Sequence, residues 1–209
     1  MARTEEQTRA LFDEWAKSYD TDLLNERGPL IGYRHSLKAI DEALPIQDKP
    51  HVLDIGIGSG AIARQLADRG ASITGIDLSE KMLALCAEKN PDFDLQIGTF
   101  NQIPSPDAAF DHIVSGFAFH EVPLAKRDAA CEEIGRALKP GGYLCLLDIM
   151  FASVVAMQEA KQLIGRAWDD SEDYAIVGEL DTLIRRCGFT SVQWYQTAPF
   201  HWMLTARKI

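Results

Sequence analysis

The sequence is poor in the features that stabilise secreted or membrane-embedded chains. Only four cysteines occur in 209 residues, Cys86, Cys131, Cys145 and Cys187, and no two form a CxxC pair. That spacing excludes a cysteine zinc knuckle and a disulfide framework as organising features. Long hydrophobic runs are also lacking. The longest, Tyr143 to Met157, is interrupted by Asp148 and is too short to cross a bilayer. The opening MARTEEQTRA is charged and has no apolar core, so it does not read as a secretory signal. Dense basic runs are absent, and 21 Lys and Arg against 31 Asp and Glu give a net charge of -10. A polyanion is repelled by such a molecule, so no nucleic-acid partner is expected. These absences leave a cytoplasmic protein with no membrane partner, and 46% hydrophobic residues suffice for a core in one domain spanning 1–209.

What is present is alternation. Residues 4–24 read as a helix with Leu11, Trp15 and Tyr19 on one face, Gly28-Pro29 breaks the chain, and 31–44 read as a second helix ending before Pro45. Strand Val52–Ile55, helix Ala61–Arg69, strand Ser72–Ile76, helix Glu80–Lys89 and strand Phe93–Ile97 follow. Next come strand His112–Ser115, helix Leu124–Leu138, a turn at Lys139–Gly142 and strand Tyr143–Ile149. Residues 153–168 and 178–187 read as helical, and the tail, interrupted by Pro199, reads as an antiparallel pair of strands. Strand–helix alternation over this length predicts an α/β fold with a parallel sheet covered on both faces.

The most informative stretch is HVLDIGIGSGA, His51 to Ala61. A glycine turn between a strand and a helix receives a nucleotide-like ligand at the carboxyl end of the sheet. Gly56-x-Gly58-x-x-Ala61 satisfies the dinucleotide pattern, and Asp77 lies nineteen residues beyond Gly58, placed to hold a ribose. A nicotinamide-dependent oxidoreductase is therefore one reading. Asp54 argues for another, because a carboxylate repels a pyrophosphate and attracts a ligand carrying an ammonium and a sulfonium. S-adenosyl-L-methionine (AdoMet) is such a ligand.

VLDIGIGSG, GIDLSEKM, FDHIVSGFAFHEV and LKPGGYLCLLD, in that order and spacing, resemble the class I AdoMet-dependent methyltransferases. FDEWAKSYD, FAFHE, DIMFA and FHWMLTARK are also similar to the YrrT-like group within them. The resemblance implies a Rossmann-like fold with a mostly parallel seven-stranded sheet, helices on both faces and a C-terminal antiparallel hairpin. It implies that Asp54, Gly56, Ile57, Gly58 and Gly60 wrap the methionine part of AdoMet, that Asp77 binds the ribose hydroxyls, and that Leu78 and Met82 flank the adenine. After the third strand the family commonly has Gly-Asp. Here Gly98 is followed by Thr99, so an uncharged hydroxyl stands where an adenine-binding carboxylate is expected; either Asn101 or the Phe100 backbone compensates, or adenine is held less tightly. Ser115, Gly116 and Phe117 end the fourth strand, where the family offers carbonyls to the ammonium.

The same resemblance implies methyl transfer, with S-adenosyl-L-homocysteine as the product, but names no acceptor. SGFAFH stands where the nucleic-acid amino methyltransferases of this fold carry an Asn/Asp-Pro-Pro-aromatic loop, and with the acidic charge this makes a small-molecule acceptor the expectation. His120 is the expected base should the acceptor have a proton to lose, with Glu121, Tyr19 and His201 behind it. The aromatics Phe117, Phe119, Trp15, Tyr19, Phe151 and Trp168 are candidates for an apolar acceptor pocket. Residues 1–45 are expected to form an N-terminal helical segment on a core of 46–209. Within it 4–34 would serve as a lid that brings Tyr19 and Tyr33 to the cofactor. No zinc-type ligand cluster stands out. A protein that binds AdoMet without catalysis is the remaining alternative.

Overall fold

The computed structural model describes residues 3–209; Met1 and Ala2, which belong to the expected N-terminal helical segment 1–45, lie outside the described residues. Short β-branched and leucine-rich runs become strands β1 (His51–Ile55), β2 (Ser72–Asp77), β3 (Asp94–Ile97), β4 (Phe110–Gly116) and β5 (Leu138–Phe151). All pair in parallel, and β5 then turns antiparallel to β8 (His201–Lys208), which carries β7 (Phe189–Ala198) on its far side. The order is β3-β2-β1-β4-β5-β8-β7, and a two-residue strand β6 (Ala175–Ile176) pairs with the end of β5. The sheet thus has eight strands rather than the expected seven. The extra one is too short to leave a pattern in the sequence.

The pleat sorts the side chains. Leu144 and Leu146 of β5 enter one core with Ala130 and Ile134 of α6 (Arg127–Ala137) and Leu180 and Ile184 of α8 (Val177–Arg186). Cys145 and Leu147 enter the opposite core. There they meet Leu37 and Ile40 of α3 (Tyr33–Ala43), Ile62 and Leu66 of α4 (Ala61–Asp68), and Cys86 of α5 (Glu80–Lys89). A third cluster joins Ile149 and Phe151 to Ala160 of α7 (Val154–Ile164) and to Tyr174 and Phe200. Because β1 lies between β2 and β4, the strand order reverses at the carboxyl ends of β1 and β4, where a crevice opens.

Several boundaries differ from the sequence reading for identifiable reasons. The expected 4–24 helix is two helices, α1 (Glu5–Trp15) and α2 (Tyr19–Leu23). Asp22 accepts from both the Trp15 indole (2.9 Å) and the Ser18 hydroxyl (2.7 Å), which anchors the bend. Leu11, assigned to the apolar stripe, is 41% exposed. The Lys139–Gly142 turn is absorbed into β5 as a bulge, where five steps from Leu138 to Tyr143 face two steps from Phe110 to His112. Helix α6 starts at Arg127, after a 3-10 turn at Leu124–Lys126. Strand β7 carries two irregularities, at Thr190–Gln193 and at Gln196–Ala198.

Candidate active site

The glycine turn folds as it does because only glycine fits. Gly56 takes φ of +71°, and a Cβ there would lie 2.5 Å from the Ala118 Cβ. Gly58 takes φ of +53°, and a Cβ would press on the Tyr19 hydroxyl at 3.3 Å. Gly56 and Ile57 donate their N–H groups to the Ile76 carbonyl at 2.8 and 3.0 Å, which locks the turn to β2. The Gly58 N–H donates to Asp77 Oδ2 at 3.0 Å, and Ser79 N–H to Asp77 Oδ1 at 2.9 Å. Each Asp77 oxygen keeps acceptor capacity, because a carboxylate oxygen offers two lone pairs. Burial raises the Asp77 pKa, opposed by these two N–H groups and that of Leu78.

Under the turn lies Asp54, 1% exposed. Its Oδ1 has no hydrogen-bond partner. Burial, and then the charge of Asp77, push its pKa up to about 8. A buried carboxylate with an orphaned oxygen is a costly arrangement unless a donor or cation completes it.

Beside the turn is a cavity of about 570 Å³. Tyr19, Gly56, Gly58, Asp77, Leu78, Met82, Gly98, Thr99, Phe100 and Phe117 all line it. These residues come from α2, the turn after β1, the end of β2, α5, and the loops after β3 and β4, so sheet order brings them together. Thr99 is tied to Gln102 by paired backbone bonds of 3.0 and 3.1 Å, and the Asn101 amide donates to the Lys126 carbonyl at 2.9 Å. Ala118, Glu121 and Val122 line it as well, Ala118 directly against Gly56.

Other expected site residues stand behind the wall. Ser115 gives its hydroxyl to the Ile55 carbonyl at 2.7 Å and so ties β4 to β1. Gly116 lets Ile62 approach so closely that a Cβ would lie 2.2 Å from its Cδ1. Ile57 is core, packed over Gly75, and Gly60 begins α4 against Asn90 and Cys86. Tyr33 reaches Phe117, with ring centroids 4.9 Å apart. Of the six candidate aromatics, Tyr19 and Phe117 face the cavity. Phe119 is core on Phe100, Phe151 and Trp168 pack with Tyr174 in the third cluster, and Trp15 lies edge-on to Tyr19.

His120 is also behind the wall, 8% exposed. Its Nδ1 lies 2.5 Å from Asp148 Oδ1, and its backbone N–H donates to Asp148 Oδ2 at 2.8 Å. Burial alone would lower its pKa, but Asp148, Glu172 and Glu121 outweigh that and push it up to about 10. At neutral pH the ring is an imidazolium with no free lone pair, which does not suit the base expected at this position. The pKa of His201 is pushed down by burial; its ring bridges Ser36 Oγ (2.9 Å) and the Pro29 carbonyl (2.7 Å) and packs edge-on behind Phe117, a structural tie one residue removed from the cavity.

Sequence reasoning missed Arg3, Asp148, Asp169 and Glu172. Arg3 donates to Glu121, to Asp169 Oδ2 (2.7 Å), to Ser171 Oγ (2.6 Å) and to Glu172 Oε1 (3.2 Å). The only signal was Asp148 itself, a charge inside an apolar strand.

A doubly wound sheet with a glycine turn, an acid at the end of β2 and an antiparallel β5-β8-β7 end is a Rossmann-like fold. In residues 53–146 the chain matches the family model described as a methyltransferase domain. It is 31% identical to an uncharacterized methyltransferase of Geobacillus kaustophilus, over 95% of both chains. It is 28% identical to the uncharacterized methyltransferase YrrT of Bacillus subtilis, over 95% of this chain and 96% of that one. The chain belongs to this methyltransferase family. Among solved structures, one from Thermotoga maritima, described as an AdoMet-dependent methyltransferase and possible histamine N-methyltransferase, superposes with a TM-score of 0.75. It is 21% identical and covers 96% of this chain and 99% of its own. No helix among the described residues is long and apolar enough to cross a membrane.

Proposed function

We propose that the protein is an AdoMet-dependent methyltransferase acting on a small molecule. The observation that carries this reading is the orphaned, buried Asp54 carboxylate beneath a glycine turn that a Cβ would fill, beside Asp77. An anionic pyrophosphate gives Asp54 nothing, whereas a cationic amino-acid head completes it. In this reading Asp54 and the turn hold the methionine part, Asp77 accepts from the ribose hydroxyls, and Leu78, Met82, Gly98, Thr99 and Phe100 enclose the adenine. Bound AdoMet supplies a methyl group on a sulfonium, an electrophile that needs no further activation. The chain's own task is then to align the acceptor and exclude water, and alignment alone supplies about 7–11 kcal/mol. Phe117, Ala118 and Val122 give the acceptor end an apolar wall, and Glu121 gives it one carboxylate. The net charge argues for a small acceptor rather than nucleic acid.

Residues 3–23 act in this proposal as the cover of the site. Little apolar surface holds them, since Thr8 and Leu23 are the buried residues of α1 and α2. Polar ties do most of it: Asp13 to the Ser79 hydroxyl (2.6 Å), Asp20 to the Ser59 hydroxyl (2.6 Å) and to Lys89, and Glu5 to Lys126 (2.7 Å). Helix α3, by contrast, is built into the core, so the cover is shorter than the expected 4–34.

The test is a thermal shift followed by turnover. AdoMet and S-adenosyl-L-homocysteine should each raise Tm, while NAD and NADP should not. At a hundredfold excess over Kd the expected stabilisation is about 2.7 kcal/mol. A response to NAD alone overturns the proposal. Binding of AdoMet with no homocysteine product across a metabolite panel reduces the protein to an AdoMet binder.

A further inference from the structure

We propose that His120, Glu121 and Glu172 form a binding site for one divalent transition-metal ion, with Asp148 orienting the histidine and Arg3 as the resident cation that the metal displaces.

The arrangement begins at Asp148, a carboxylate 1% exposed in β5. It accepts the His120 backbone N–H (2.8 Å), the Ile149 backbone N–H (2.7 Å) and the His120 ring at Nδ1 (2.5 Å). An acceptor so engaged fixes Nδ1 as the protonated nitrogen and aims Nε2 the other way. A carboxylate behind a histidine in this manner orients metal-ligating imidazoles and raises their basicity. Nε2 faces Glu121 Oε1 and Glu172 Oε2, each at 3.9 Å, and makes no hydrogen bond to either. One donor atom from each of the three residues lies within 4.8 Å of the other two. Ligands held at about 2.0–2.2 Å from a common ion stand about 3–3.5 Å apart, so small rotamer changes in two glutamates close the set. Tyr174, 8% exposed and two residues beyond Glu172, packs with its ring centroid 6.2 Å from that of His120.

Arg3 shows what the site wants and what it lacks. Its guanidinium bonds Glu121, Glu172 and Asp169, so positive charge is already drawn to this point. A guanidinium only donates hydrogen bonds and cannot pair with a protonated histidine nitrogen, which is why Nε2 is left over. A metal ion uses all three donors, and the Nε2 proton leaves to solvent as it binds. One imidazole with two carboxylates suits Mn²⁺, Fe²⁺ or Zn²⁺ better than Ca²⁺ or Mg²⁺. Because Glu121 also lines the cavity, open coordination positions would face the methyl acceptor. That last point rests on the methyl-transfer reading; the binding of the ion does not.

The experiment is calorimetric titration of the metal-stripped full chain with MnCl2 and ZnCl2, and with MgCl2 and CaCl2 for comparison. Electron paramagnetic resonance follows the manganese. We expect one Mn²⁺ or Zn²⁺ per chain and weaker Mg²⁺ and Ca²⁺. In Arg3→Ala affinity should rise at least tenfold, because the competing cation is gone. Glu172→Gln should abolish binding, and Asp148→Asn should weaken it about 10- to 100-fold. Circular dichroism reports the fold of each variant. Binding in Arg3→Ala alone overturns the displacement of Arg3 by the ion. No binding by either wild type or Arg3→Ala, or undiminished binding in a folded Glu172→Gln, overturns the site. S-adenosyl-L-homocysteine titrated into the same metal-free protein reports separately on the methyl-transfer reading.

Discussion

Asp54 is an acid that folding makes weak. Its pKa of about 8 means that the folded chain prefers the protonated carboxyl, while the unfolded chain ionises near the ordinary value of 3.8. The stability this group gives is therefore complete at low pH and is lost as pH rises from about 4 through 8. Without ligand, Asp54 lowers Tm over that range against the opposite contribution of carboxylates such as Asp169 and Glu133. Asp54→Asn should therefore raise Tm relative to wild type increasingly from about pH 4 to pH 8 in a pH series of melts. Ligand binding reverses the preference, because a bound ammonium favours the carboxylate over the opposition of the neighbouring Asp77. AdoMet affinity should therefore rise toward pH 8, by at most about tenfold per unit, and then level off. Calorimetry in buffers of different ionisation enthalpy should detect the released proton, and Asp54→Asn should abolish that release. Asp77→Asn removes the charge that the ribose hydroxyls would meet, so AdoMet affinity should drop about 10- to 100-fold in titrations, with the fold intact. Both acids were legible in the sequence, since each is fixed by its distance from the glycines. Glu172 and Asp148 were not. They reach His120 only because β5 lies beside β4 and the chain returns past α7, relations that no local spacing encodes.

The first two helices illustrate the limit of periodicity at the scale of elements. Trp15 and Tyr19 keep helical spacing across the break at Ala16–Ser18, so the pattern reads straight through a bend that Asp22 holds from the other side. The β strands were easier, because a strand buried on both faces is a short apolar run bounded by turn residues. What periodicity could not rank was attachment. α1 and α2 rest on ion pairs and hydroxyl bonds, exposed examples of which contribute about 0–1 kcal/mol each. α3 rests on the buried Leu37 and Ile40. Amide exchange should separate the two. Residues 5–23 should exchange faster than α3 in the free protein, faster still in Arg3→Ala, and slower when S-adenosyl-L-homocysteine is bound. Equal protection of both segments in every state would make α1 and α2 part of the fixed scaffold.

At the scale of the whole molecule the C-terminal hairpin is a structural member rather than an appendage. Leu204 of β8 is fully buried, faces Leu146 on β5 and Trp194 on β7, and belongs to the same core as α6 and α8. Leu204→Ala should cost about 2–5 kcal/mol, read from urea melts, and unfolding should remain a single transition because one core spans the parallel and antiparallel parts. The hairpin also makes β7 the last strand on its side, with one row of backbone groups facing outward. There the two irregularities of β7, with Ser191 at φ of +52°, interrupt the straight ladder that another chain would need to dock. The opposite edge is β3, only four residues long and carrying Asp94. Between a kinked border, a stunted one and a charge of -10, the sheet offers a second molecule no template to extend, so concentrated protein is protected against growth by strand addition.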